Sequence, residues 1–442
     1  MLLWLGAPPL LNQLVVVAYN IADAYWLSLY SDIAVAIPRQ MWPITMLFQA
    51  LLQALTAASL SIISQYVGGK AYREAGRSAS RFFTIASIFG GILCAMLLAL
   101  REIIFTRVTS IPPEIFEDAM KYSGIIAFDI FLNYVSLTFT TLMQSIGETR
   151  RPAIINALAV SLNIFLDPFL VLGLGPFPRL GVVGAALTDV MGKAISVLAL
   201  AYTIKRNYPE LKIVFTRDID LSWISMVLHV SLPILTLGLT NGFAFLMQLR
   251  IVNMLGIVAA AAYAIGFLIM DIVDASLFGL SSAISIMVGQ NLGAERIKRA
   301  KEIAYKSAFL IFTLVALGAI IIYPVRDILA EVFTDDPQII AETSLFLQTL
   351  LPTLPFFGLF MVAMSTGRGS GHTLTPTSIG IFRLWGVRVG LGYILAFIFG
   401  MGSLGAWLAI ALSNIIGGII SIIWIKFGRW ARPIIKGREG RY

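Results

Sequence analysis

The chain has 442 residues, of which 58% are hydrophobic and 13% are charged, and its formal net charge is +8. Soluble domains carry about 25% charged residues, whereas here apolar runs of about twenty residues, long enough to cross a bilayer, recur from one end to the other. The composition therefore excludes soluble, disordered, collagen-like and disulfide-stapled proteins, and it predicts a polytopic membrane protein.

Twelve apolar stretches, bounded by glycine, proline or charged residues, follow one another along the chain. We predict an all-α polytopic membrane protein of twelve transmembrane helices, because barrel strands alternate over only about ten residues. The first stretch lacks the basic start and small-residue cleavage site of a signal peptide, so we expect it to be a helix. The stretches lie near residues 3–30, 37–66, 74–100, 117–145, 152–175, 181–204, 222–254, 258–288, 303–325, 338–366, 374–401 and 403–425.

Lysine and arginine alternate between the two sides of the predicted membrane. Of the 32 in the chain, 22 lie in the C-terminal tail and the loops after even-numbered helices, and six lie after odd-numbered helices. The positive-inside rule therefore predicts cytoplasmic termini and a multi-pass protein of the cell membrane. Because topology accounts for the charge, no nucleic acid partner is expected. Four basic residues fall inside spans: Lys193, Arg250, Arg383 and Arg388.

The chain repeats itself weakly at a spacing of about 225 residues. SQYVGGKAYREAGR at 64–77 matches GQNLGAERIKRAKE at 289–302. Six helices per half give both halves the same orientation, as in the parallel repeats of several secondary transporters. The predicted organisation is an N-terminal six-helix lobe at 1–204, a cytoplasmic linker at 205–221, a C-terminal six-helix lobe at 222–427 and a basic cytoplasmic tail at 428–442.

Carboxylates inside the spans are concentrated in the first half. A charge at the bilayer centre costs about 2.5–3.5 kcal/mol on insertion scales, so each one needs a reason. The four intramembrane acids and Lys193 give the first half a net intramembrane charge of −3. The two acids and three arginines inside the spans of the second half give it +1. This difference predicts a cation site in the first half. The six acids are Asp23, Asp129, Asp167, Asp189, Asp271 and Asp274.

Two polar stripes of the first half share one helical spacing, of seven and then four residues. If they face each other, they line a cavity with hard oxygen donors, which suit a bare cation. Two carboxylates that lie close together cannot both ionise comfortably, so they would share a cation or a proton. The stripes are Asn12, Tyr19 and Asp23 on helix 1, and Asn156, Asn163 and Asp167 on helix 5.

Other intramembrane polar residues leave structural alternatives open. Asp189 could simply pair with Lys193, and Asp129 could be hydrated near the outer interface. Asp271 and Asp274 could neutralise Arg383 or Arg388, while Gln49 and Gln53 on helix 2 either line the cavity or cross-link helices. The predicted substrate-cavity residues are Tyr19, Asn20, Asn156, Gln49 and Gln53.

Motifs for catalysis are missing from the sequence. No G-x-x-x-x-G-K-[ST] occurs, so ATP hydrolysis is not expected. His229 and His372 form no metal-binding motif. We therefore predict no enzyme activity, no catalytic residues, and no resident metal or cofactor apart from a coupling ion.

Four segments of the chain have a distinctive sequence: YNIADAYWLS at 19–28, SIGETRRP at 145–152, NIFLDPFLVLGLGPFPRLGVVGAAL at 163–187 and VGQNLGAERIKRA at 288–300. They resemble the multidrug and toxic compound extrusion (MATE) family, most closely its DinF-like archaeal and bacterial branch. The resemblance covers essentially the whole chain. It implies two six-helix lobes around a V-shaped cleft and export of amphipathic, often cationic, compounds coupled to Na+ or H+.

The resemblance also implies site residues. The branch's cation site corresponds to Asp23, Asn163 and Asp167, and its helix 6 hydroxyl corresponds to Thr188, with Ala185 or Asp189 as alternatives. The repeat places Gln248 opposite Asp23 and Leu391 opposite Asp167, so no second cation site is expected.

These observations and the resemblance together predict an antiporter that works by alternating access. Its expected partners are small-molecule substrates and membrane lipid, and the protein is expected to be a monomer. The alternative is a flippase for lipids or lipid-linked oligosaccharides. Such a flippase would need a basic cavity, which Arg250, Arg383 and Arg388 could supply.

Overall fold

The computed structural model describes residues 15–16, 18–19, 22–23, 25–27, 29–31, 34, 36–108, 113–209 and 213–435. Asn12, Asn20 and the side chain of Asp271 lie outside the described part. Within it the chain is almost entirely helical and contains no strand. We number the helices α1 (helical wherever described between 15 and 30), α2 (Ala36–Gly68), α3 (Tyr72–Arg107), α4 (Pro113–Ser145), α5 (Arg150–Leu172), α6 (Val182–Asn207), α7 (Leu221–Met254), α8 (Ile257–Gly293), α9 (Ile297–Glu331), α10 (Pro337–Ser370), α11 (Leu374–Ile398) and α12 (Gly402–Phe427).

Ten of these helices, counted over the described residues, are long and apolar enough to cross a membrane. The other two are α1, which is described in part, and α8, which holds two shorter apolar stretches. The prediction of an all-α polytopic membrane protein is therefore confirmed.

Three helices of the second half contain irregular turns. α9 and α10 pass through 3₁₀ turns at Tyr323–Val325 and Leu351–Thr353. Each turn contains a proline, which cannot donate to the helical ladder. α11 is π-helical over Phe382–Leu391 and again over Ile394–Ile398.

Residues 3–227 and 228–442 form two compact units. In the first unit α4 packs against α2, α3 and α6, and α5 packs against α6. Its buried core includes Leu52, Leu97 and Phe105. In the second unit α10 packs against α8, α9 and α12, around a core that contains Phe346 and Trp407.

The turns after α2 and α8 show the internal repeat in the backbone itself. Lys70 and Glu295, 225 positions apart, both have positive φ, of 56° and 59°. The next residue in each turn donates its N–H five residues back, from Ala71 to Tyr66 and from Arg296 to Asn291. The sequence similarity of these two segments therefore reflects one shared turn geometry.

The segment 213–220, which precedes α7, has no regular secondary structure and docks on α3 within the first unit. Its N–H groups at Val214 and Thr216 donate to Ser80 Oγ and Thr84 Oγ1. The Arg81 side chain is 5% exposed and pairs with Asp218 and Asp220. These contacts fix the predicted linker region to the first unit.

Candidate functional site

A cavity of about 210 Å³ lies inside the first unit, between α1, α4, α5 and α6. Three of these helices present a polar face to it, because their polar residues recur three, four or seven positions apart. The polar lining consists of Tyr19 from α1, Asn133, Ser136 and Thr140 from α4, Asn156 and Asn163 from α5, and Asp189, Lys193 and Ser196 from α6.

Small residues bring α5 and α6 close enough for their polar groups to meet. A Cβ on Gly184 would lie 2.4 Å from the carbonyl oxygen of Leu170, and one on Gly192 would lie 3.1 Å from that of Ala159. Gly181, the residue before α6, has φ of 57°, a conformation that favours glycine. The glycine spacing therefore positions the acidic side chains of both helices.

Asp167 and Thr188 form the deepest contact of the site, and both side chains are fully buried. Thr188 Oγ1 donates to Asp167 Oδ1 at 2.6 Å and lies 2.7 Å from the carbonyl oxygen of Ala185. Asp167 Oδ2 has no hydrogen-bond partner in the described structure. One carboxylate oxygen is thus held while the other remains open to a cation or a proton.

Asp189 is the second acidic centre, one helical position after Thr188. Its Oδ1 accepts from the Tyr19 hydroxyl at 2.6 Å and from Asn163 Nδ2 at 2.8 Å. Asn163 is 4% exposed, and its Oδ1 has no partner among the described residues. Buried acceptors without donors are costly, so Asn163 Oδ1 and Asp167 Oδ2 are suited to receive a cation.

Two further carboxylates lie near these centres. Asp23 is half-buried, and its charge interacts with those of Asp167 and Asp189. Asp129 on α4 also interacts with Asp189 and keeps Oδ1 without a described partner. Of these four carboxylates of the first unit, Asp189 is the one among the described lining residues of the cavity, and the other three lie close to it.

The opposite end of the cavity is polar and uncharged apart from one lysine. Ser196 Oγ donates to Asn156 Oδ1 at 2.7 Å, and Asn156 Nδ2 donates to Thr140 Oγ1 at 3.1 Å. Lys193 Nζ donates to Asn133 Oδ1 at 3.1 Å. The amide and hydroxyl groups here satisfy one another, so this end is preorganised.

The predicted site residues fall into different positions. Thr188 contacts Asp167, and Asn163 contacts Asp189. In the described part of the chain, Asp23 is linked to Asp167 and Asp189 through its charge. Of the predicted substrate-cavity residues, Tyr19 and Asn156 line the cavity. Gln49 and Gln53 are exposed and are not among its described lining residues, and Asn20 lies outside the described part.

Asp189 was the residue that sequence reasoning placed least well. The simple Asp189–Lys193 pair left open above is not formed, because Asp189 is bound by Tyr19 and Asn163 while Lys193 turns to Asn133. On α4 the sequence analysis identified Asp129 but missed the cavity-lining residues that follow it on the same face. Their signal was available in the spacing of four, three and four between Asp129, Asn133, Ser136 and Thr140.

The second unit contains buried polar groups of a different kind. Gln248 is 3% exposed, and neither amide atom has a described partner. Arg383 Nη1 donates to Asn414 Oδ1 at 3.0 Å, and its guanidinium lies over the Phe357 and Phe360 rings. The Asp274 charge interacts with those of Arg383 and Arg388.

Comparisons with known proteins give matches over most of the chain. The MatE family model matches residues 8–169 and again 233–394. The chain is 26% identical to "Probable multidrug resistance protein NorM" of Thermotoga maritima, over 99% of this chain and 94% of that protein. It is 26% identical to "FAD transporter" of Shewanella oneidensis, over 95% and 92%.

Solved structures with the same fold have lower sequence identity. The Vibrio cholerae MATE transporter VcmN in its bent form superposes with a TM-score of 0.90 at 18% identity, covering 97% of this chain and 96% of that one. A MATE crystal structure in the bent conformation gives a TM-score of 0.88 at 22% identity, with 96% and 94% covered. These likenesses establish the fold.

Proposed function

Because the chain belongs to the MatE family, we propose that it is an antiporter that exports amphipathic, chiefly cationic, compounds in exchange for Na+ or H+. One observation carries the proposal: Asp189 and Asn163 line a cavity in the first unit, and Asn163 Oδ1 and Asp167 Oδ2 are buried acceptors without a described partner. The names of the multidrug resistance relatives support the substrate class.

The chemistry of exchange follows from competition for the same negative charge. Repulsion between Asp23, Asp167 and Asp189 is relieved when a cation or protons bind, and it is equally relieved by a cationic cargo. If the ion and the cargo cannot neutralise the cluster together, the binding of one expels the other. Each unit charge that moves inward across the membrane contributes about 2.3 kcal/mol per 100 mV to this cycle.

The donor set is suitable for either coupling ion. Na+ would take the open oxygens Asp167 Oδ2 and Asn163 Oδ1, because carboxylate and carbonyl oxygens are its preferred ligands. A proton would instead sit on a carboxylate of the cluster. The ion is cargo in this cycle, and the residues bind it transiently.

The topology and assembly in the proposal come from charge. We place both termini in the cytoplasm of a cell-membrane protein, because the loops after even-numbered helices are basic. The proposed protein acts as a monomer and not as an enzyme.

The proposal is tested with purified protein in liposomes. An imposed Na+ or H+ gradient is expected to drive efflux of a fluorescent cationic dye, and D23N or D167N is expected to abolish it. Asp335, an exposed residue between α9 and α10, provides the matched control D335N, which should transport at the wild-type rate. Unchanged efflux in both cluster variants would refute the proposal.

No observation among the described residues favours the flippase alternative. Arg250 is exposed, and the buried Arg383 packs against aromatic rings. The described lining of the cavity contains Lys193 as its basic residue. A labelled-lipid flipping assay on the same liposomes separates the two functions.

A further inference from the structure

Lys193 introduces a positive charge into a cavity that otherwise attracts cations. Among the described lining residues, Asp189 and Lys193 are the two that carry charge. They lie four positions apart on α6, so they share a face of the helix and are separated by about 6 Å along its axis. The cavity is therefore dipolar.

The contacts of Lys193 leave its charge without a carboxylate at contact distance. Nζ donates to Asn133 Oδ1, which is a neutral acceptor. The nearby Asp189 Oδ1 is occupied by Tyr19 and Asn163, and no carboxylate in the described ranges lies within 4.0 Å of Nζ. An ammonium has three N–H donors, so two remain for acceptors other than Asn133.

The surroundings of Lys193 on the side away from Asp189 supply no negative charge. Ser136, Ser196, Asn156 and Thr140 hydrogen-bond to one another in a neutral chain. A cationic group would be repelled from this end of the cavity. An anionic group would gain a charge-assisted hydrogen bond in a setting that is partly shielded from water.

We propose that Lys193 determines cargo specificity by binding an anionic group, such as a carboxylate, while Asp189 faces the cationic group of the same molecule. The preferred cargo is thus a zwitterionic amphiphile whose opposite charges lie about one helical turn, roughly 6 Å, apart. This inference rests on the proposed function, since it concerns the cargo of the same cavity.

A purely structural Lys193 would make a different prediction. If its charge served only to offset Asp189, removing it would alter the binding of all cationic cargo alike. If Lys193 binds an anionic group of the cargo, removing its charge weakens the binding of only those compounds that carry such a group. A matched pair of probes separates the two cases.

The probes are a fluorescent aromatic compound that carries both a protonated amine and a carboxylate, and the methyl ester of the same compound, which keeps only the amine. Their Kd values are measured on the purified full chain. We expect the wild-type protein to bind the zwitterion about tenfold or more tightly than the ester, because the carboxylate gains a charge-assisted hydrogen bond in a site that is shielded from water. K193Q should reduce the ratio to near one by weakening the zwitterion alone, and K193R should retain most of the preference.

The control is K306Q, which removes an exposed lysine of α9 that pairs with Glu302 on the protein surface; its ratio should equal that of wild type. Equal affinities of the wild-type protein for the two probes overturn the inference, and so does an unchanged affinity ratio in K193Q. The wild-type measurement needs no variant, so it tests the inference even if K193Q cannot be purified. The proposed function fails separately, when ion gradients drive efflux of neither probe. It survives when the ester is exported as well as the zwitterion.

Discussion

The Thr188 hydroxyl holds Asp167 in place, and this single contact orients the open oxygen of the carboxylate. We predict that Thr188→Val weakens coupling-ion binding about tenfold, because a hydrogen bond to a charged group contributes about 1.5–3 kcal/mol and Val removes the donor at similar volume. Thr188→Ser should restore most of the affinity. The measurement is ion-dependent quenching of tryptophan fluorescence in the purified protein, and equal affinities for wild type and Thr188→Val would exclude a role for this contact.

The residues of the site illustrate what sequence spacing can and cannot reveal. Asn163 and Asp167 were identified from a stripe on one helix, because both periodicity and residue type are visible in the sequence. The exchange of partners, in which Asn163 binds Asp189 while Thr188 binds Asp167, depends on the rotation of α6 against α5. That rotation is set by packing, and a single sequence does not contain it.

At the scale of elements, the contact between α5 and α6 depends on glycine. A Cβ on Gly184 would lie within 2.4 Å of the Leu170 carbonyl oxygen, so Gly184→Ala must push the helices apart. We predict loss of transport and of ion binding, because a displacement of about 1 Å at a site can cost about a hundredfold in activity. Gly91→Ala on α3 is the control, since nothing lies within 4 Å of the added Cβ. Transport at the wild-type rate in Gly184→Ala would show that the helices tolerate the separation.

The segment after α12 is fastened to the turn between α10 and α11. Trp430 is 1% exposed, and Arg432 Nε donates to His372 Nε2 at 3.2 Å. His372 Nδ1 lies 3.2 Å from the carbonyl oxygen of Ser370. Nε2 can accept from Arg432 only when the ring is neutral. Burial is the main cause that lowers the pKa of His372, and the nearby Arg432 and His229 charges lower it further, against the Ser370 carbonyl, which raises it.

This arrangement makes the docking of residues 428–435 dependent on pH. The unfolded or undocked state takes up a proton near the ordinary histidine pKa of 6.5, whereas the docked state takes it up only at lower pH. Docking is therefore fully stable above about pH 7 and weakens as the pH falls through 6.5. Hydrogen exchange of the segment, corrected for intrinsic rates, should increase in that range in wild type but not in His372→Gln. The same pH dependence in both proteins would contradict the prediction.

At the scale of the whole molecule, one repeat has given rise to two different interiors. Equivalent positions of α4 and α10 lie 224 apart. The turns that follow these helices show the same spacing, because Gly147 and Gly371 both have positive φ. The counterparts of Asn133 and Ser136 are thus Phe357 and Phe360. The two matches to the family model begin at residues 8 and 233, which are 225 positions apart. At this spacing Asp23 on α1 corresponds to Gln248 on α7, so the first helices of the two halves also differ in charge.

The sequence predicted the twelve helices and the repeat because both depend on composition and period. It did not predict the filling of the second interior, because that depends on which side chains meet. Ala159 of the first unit corresponds to Arg383, whose aliphatic chain lies 2.5 Å from the position that a Cβ on Gly417 would occupy. Where the first unit has a cavity, the second therefore has a guanidinium between two aromatic rings.

This comparison indicates a packing role for Arg383, whereas the transport site that we propose lies in the first unit. We predict that Arg383→Ala lowers the free energy of unfolding by about 2–5 kcal/mol, as large-to-small changes in buried positions do, and leaves the Asn414 amide without its donor. Arg383→Met should cost less, because it fills the volume without a buried charge. Thermal unfolding in detergent measures both, with the exposed Arg250→Ala as control, and ion binding at the first-unit site should be unchanged in every variant that remains folded. Loss of ion-driven efflux in Arg383→Met with unaltered thermal stability would place Arg383 in the transport machinery instead.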